Sequence, residues 1–161
     1  MLKNAWYLIT HIDFFDAVTK LPRLADAPDL MVTLDKLFGD EGCISAAHTA
    51  TAVEVMLRMA EHLSTAIPYG RHVAVADCDQ FARLLNGLNL LLAYVAQLSA
   101  RLAHQVDTAT GADLSALSAD ERTALTTALA TASCRLEEAA GLFKEAHLAA
   151  GDRAAMHARR R

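Results

Sequence analysis

Apolar positions recur along this chain with the 3.5 to 3.6 residue period of helices, and almost nowhere with the alternation of strands. The clearest run lies between Asp77 and Asp107. Phe81, Leu84/Leu85, Leu88, Leu91/Leu92, Val95, Leu98 and Leu102 form a bundle-like stripe, and residues 84–100 carry no charge. Leu90 and Tyr94 add a second apolar face, so this helix is expected to sit between neighbours or to meet another subunit. Leu90, Tyr94 and Leu98 are the candidate interface. Asp77 and Gln80 open the helix as a D-x-x-Q capping box.

Four further helices are predicted. Ser118-Ala119-Asp120-Glu121 is a capping box that starts a last helix running to Ala150, about 48 Å long, with Gly151 as its stop. Its stripe is Leu125, Leu129, Ala132, Leu136, Ala139 and Phe143. A helix from Ser45 to Ile67 shows Ala46, Ala50, Val53, Leu57 and Ala60 on one side. A short one, capped at Asp26 or Ala27 and stopped by Gly39, buries Leu30, Leu34 and Leu37. Near the start, residues 2–20 read as an aromatic-rich helix. Trp6, Tyr7, Phe14 and Phe15 supply bulk that small Ala-rich helices need over them. Residues 71–76 alternate, but a lone strand has nothing to pair with, so an extended loop is expected.

Composition strengthens the helical reading. The chain of 161 residues holds 33 Ala and 24 Leu, and its three prolines all lie at or before Pro68. The expected fold is all-α: an up-down, four-helix-bundle-like domain of three long helices with an aromatic-rich N-terminal helical pair. Residues 1–151 are expected to form this single domain and residues 152–161 a short basic tail.

Charge narrows the partners. The net charge of −4 divides into −7 over residues 1–150 and +3 over residues 151–161. An acidic body does not suit a surface that tracks nucleic acid. Only Arg153, Arg159, Arg160 and Arg161 offer a DNA contact, and such termini are commonly just solvated. Cys43, Cys78 and Cys134 are odd in number and lack a CxxC spacing, which fits a reducing, cytoplasmic setting. The many Ala and the excess of Arg over Lys suggest a GC-rich bacterial gene. Asn86, Asn89, Gln97 and Ser99 make the interval between Arg83 and Arg101 a poor membrane span.

Catalytic signatures are missing: no phosphate loop, no G-x-S-x-G, no HExxH and no E-x-x-H pair. No cofactor is expected. One polar constellation is a candidate metal site. Antiparallel helices, in a register that sets His147 near residue 79, would bring His62, His72, Cys78, Asp79 and His147 to one end of the bundle, and imidazole, thiolate and carboxylate are a transition-metal ligand set. Polar residues also gather at helix ends because water and orphan backbone groups are there. Gly87 and Gly141 fall at similar heights on neighbouring helices, which suggests close backbone approach with Asn86 and Asn89 bonding across. The expected function is a non-enzymatic protein–protein interaction module, an adaptor, regulator or assembly subunit that homodimerises. The alternatives are a DNA-linked regulator using the Arg-rich tail and a ligand- or metal-binding bundle with a polar end site.

Overall fold

The computed structural model describes residues 5–9, 25, 27–39, 45–66, 75, 77–109, 114 and 116–158. Among them are four α-helices and no strand: α1 (Ala27–Phe38), α2 (Ala46–Ala66), α3 (Cys78–Thr108) and α4 (Ala119–Ala158). The fold is all-α. The chain divides into two compact units, one of residues 1–20 with 77–161 and the other of residues 21–76.

Local chemistry sets the helix ends. Asp77 is extended (φ −156°, ψ 176°) and its carboxylate accepts from Gln80 N at 2.7 Å. At α4 the box closes in both directions: Ser118 N donates to Glu121 Oε2 (2.8 Å), and Glu121 N donates to Ser118 Oγ (3.3 Å). Ser118 Oγ also donates to Glu121 Oε2 (2.7 Å), and this bond first and the Ser118 amide second hold the Glu121 carboxyl below the usual carboxylate range. Ser45 caps α2, accepting from His48 N (3.3 Å) while its Oγ meets His48 Nδ1 at 2.7 Å. Gly39 N closes α1 on Asp35 O (2.7 Å). Ala109 ends α3 in the left-handed region (φ 51°), its N–H turned to the carbonyls of Gln105 and Val106.

Two expectations about extent are corrected. Gly151 does not end the last helix; α4 continues to Ala158 and is about 60 Å long. A helical glycine costs about 1 kcal/mol against alanine, and the Ala-rich sequence on both sides of Gly151 absorbs that. Residues 5–9 form a turn, closed by Leu8 N on Ala5 O (3.1 Å), where a helix was expected. Phe14 and Phe15 lie outside the described residues.

In the first unit α3 and α4 form an antiparallel hairpin. Its contact face on α3 is Ala82, Leu85, Asn86, Asn89, Ala93, Ala96, Ala103 and Val106, mostly small side chains. Ala93 and Ala140 are wholly buried, so the two backbones run close together. In the second unit α1 and α2 meet around Leu34, Phe38, Ala52, Val55 and Met56, which line an open groove of about 390 Å³. None of its described residues is buried. The stripe expected to pack on α2 is outward: Val53 is 42% and Leu57 65% exposed. The half-buried positions are His48, Ala52, Val55 and Leu63.

Candidate interaction surface

Three side-chain donors tie α3 to α4, one every seven residues. His147 Nδ1 lies 2.7 Å from Ala82 O, Asn89 Nδ2 donates to Ala140 O (2.7 Å), and Ser133 Oγ donates to Ala96 O (2.9 Å). A carbonyl only accepts, so Nδ1 of His147 carries the proton. The pairs 82/147, 89/140 and 96/133 share one antiparallel register. It differs by three residues from the one expected, which placed His147 near residue 79. One heptad further, Thr126 falls level with Ala103; its hydroxyl is buried without a hydrogen-bond partner. Each rung is buried at the acceptor or donor end, where an unmade bond costs about 1–3 kcal/mol, so the ladder penalises every other register.

Choosing the small face for α4 leaves the large one. Phe81, Leu88, Val95 and Leu102 occupy one heptad position of α3, and Leu84, Leu91 and Leu98 the complementary one. Phe81, Leu91, Leu98 and Leu102 are 40–45% exposed, and the other three are half-buried. Tyr94, beside this seam, is 47% exposed, and Leu90 is half-buried on its flank. At 100° per residue the seam lies about a third of a turn from the ladder. The stripe was legible in the sequence, as a face between neighbours or against another subunit with Leu98 in the candidate interface; which side of α3 meets α4 was not. Of the ladder, the bond of Asn89 across the helices was expected; the rungs of Ser133 and His147, at heptad-related positions of α4, were missed.

The turn at residues 5–9 docks on the same hairpin. Lys144 Nζ donates to Trp6 O (2.6 Å) and Asn89 Nδ2 to Tyr7 O (2.7 Å), while the Tyr7 hydroxyl reaches Glu137 Oε1 (3.4 Å). Leu8 is buried, and the Trp6 and Tyr7 rings meet edge to face at 5.7 Å. The Trp6 ring sits on Gly141, where a Cβ would collide with it. Gly141 therefore makes room for an aromatic ring, and not for another helix as its height beside Gly87 suggested. Burial, reinforced by Glu137, pushes the Tyr7 phenol above its ordinary range.

The polar end residues are dispersed in role. His147 is buried in the ladder; Cys78 and Asp79 are exposed in the first turn of α3, with Asp79 paired to Arg83 Nε at 2.9 Å. His62 is exposed on α2 in the other unit, and His72 lies outside the described residues. Among the described residues, no three His, Cys, Asp or Glu side chains gather to hold a metal ion. Of the basic tail, Arg153 falls within the length of α4, and Arg159, Arg160 and Arg161 lie outside the described residues. Among the described residues α3 is the one helix long and apolar enough to cross a membrane by length and composition.

No family model matches the chain, and no curated protein or solved structure is significantly similar to it.

Proposed function

We propose that this chain is a non-enzymatic helical protein–protein interaction module, an adaptor, regulator or assembly subunit, that self-associates through the leucine seam of α3. The observation that carries the reading is the heptad seam turned away from α4. A second copy laid antiparallel along it complements the seam in shape and opposes the helix dipoles. It also brings Arg101 of one copy toward the acidic first turn at Asp77 and Asp79 of the other. Two hairpins joined this way make a four-helix bundle from two copies, where the periodicity predicted one within a single chain.

The magnitude favours reversibility. Burying a leucine-sized side chain fully is worth about 1.5–3 kcal/mol. In a dimer the eight seam residues that are less than half exposed, four from each copy, therefore have about 8 kcal/mol still to gain, with more from their half-buried neighbours. Association itself costs at least about 4 kcal/mol. A dimer that dissociates at micromolar concentration fits these terms.

A cytoplasmic setting fits better than a membrane. By the register of the ladder, the Arg135–Glu138 pair (2.7 Å) stands level with residues 91–94, the middle of the apolar stretch. A bilayer centred there would enclose charges that cost about 3 kcal/mol each. Sedimentation of the full chain tests the proposal. The expected result is a dimer that becomes monomeric in the double variant Leu91→Glu, Leu98→Glu with an unchanged helical spectrum. A monomer at about 100 µM that binds no apolar-surface dye would overturn it.

A further inference from the structure

We infer that the notch at Gly141 is a recognition site for the aromatic segment at residues 5–9, and that a second copy of this chain can supply that segment. The segment is a clasp that closes on its own hairpin and exchanges between copies. The site is built from α3 and α4 alone: Asn89 and Lys144 read two successive backbone carbonyls, Glu137 meets the Tyr7 hydroxyl, and Gly141 receives the Trp6 ring. Two of the three hydrogen bonds go to the backbone, and the glycine is open only to a flat ring. This is how a groove reads a short peptide segment.

Two features make the clasp exchangeable. It is shallow: Trp6 remains 64% exposed while docked. The bonds join residues 82, 130 and 138 positions apart, so the site recognises the segment and not the chain that tethers it. A second copy carries the same segment, and exchange of identical elements creates no new contact chemistry. The clasp does not use the α3 seam, and the two proposals stand separately.

Trp6 is the only tryptophan, so its emission reports the clasp alone. The experiment mixes two full-length variants. Trp6→Ala keeps the notch but has no tryptophan. Gly141→Leu keeps Trp6 but fills the notch, so its emission should be that of a solvated indole. On mixing, the expected result is a saturable blue shift as Trp6 of one copy enters the notch of the other. Lys144→Ala in the recipient should weaken it several-fold. No shift up to about 100 µM, with both variants helical, would overturn the inference. Should Gly141→Leu fail to fold, a synthetic peptide of residues 1–10 replaces it. A saturable rise in its anisotropy on adding Trp6→Ala chain supports exchange, and a flat response overturns it.

Discussion

The α3/α4 hairpin and the α1/α2 pair are built from similar material, rich in Ala, Leu and hydroxyl side chains, and they behave oppositely. The hairpin buries an unbroken face and fixes its register. The pair has no buried residue among those described. The difference lies in where polar side chains send their bonds. In α2, Thr49, Thr51, Ser64 and Thr65 bond to carbonyls of the same chain three or four positions back. Such bonds add nothing between helices. Asn89, Ser133 and His147 instead reach a carbonyl of the opposite helix, with small residues around them letting the backbones approach. Helix pairing here depends on small size and outward donors more than on the amount of leucine.

Substitutions that exploit this contrast should differ widely in effect. Asn89→Ala removes a donor shared by Ala140 O and Tyr7 O, and should cost about 2–3 kcal/mol in denaturant unfolding. A loss under about 0.5 kcal/mol would show that the ladder is incidental. Ser118→Ala removes the cap of α4 and should cost about 1 kcal/mol. Because the folded Glu121 carboxyl is depressed, its contribution is present above the ordinary carboxylate pKa and fades as pH falls through the folded value. Amide exchange at the start of α4 should therefore rise in acid, and Ser118→Ala should flatten that rise. Ala109→Gly relieves a left-handed alanine and should gain up to about 1 kcal/mol, read as a higher melting temperature. Leu57→Ala, at 65% exposure on α2, should change stability by less than about 0.5 kcal/mol.

Alkaline titration sharpens the comparison within the hairpin. The Tyr7 phenol is raised, so the stability it confers is complete below the ordinary tyrosine pKa and disappears as pH climbs through the folded value. An ionised Tyr7 would face Glu137. Trp6 emission should move to the red in that range, and Tyr7→Phe should abolish the movement.

What was legible in the sequence follows the range of the interactions. Caps at Asp77 and Ser118 and the stop at Gly39 were readable, because both partners of each bond lie within four residues. The all-α fold was readable from period and proline placement. The packed faces were not. Periodicity ranks stripes by apolar bulk, which favours Leu57 over Ala52 on α2 and passes over Ala93 and Ala96, the small residues buried on α3. The three-residue shift in register was equally hidden, since it is set by donors on one helix meeting carbonyls on another. Gly141 and Asn89 stood out as anomalies, and the turn at residues 5–9 explains both.

α3 holds α4 by its small face and leaves its large face exposed, and the proposed self-association rests on that division. The most direct test is the melting temperature of Ala93→Leu beside Leu98→Ala, at a concentration low enough for monomer. Overpacking a wholly buried alanine should cost about 1–3 kcal/mol, while trimming a 41% exposed leucine should cost less than about 1. A larger drop for Leu98→Ala than for Ala93→Leu would contradict the account.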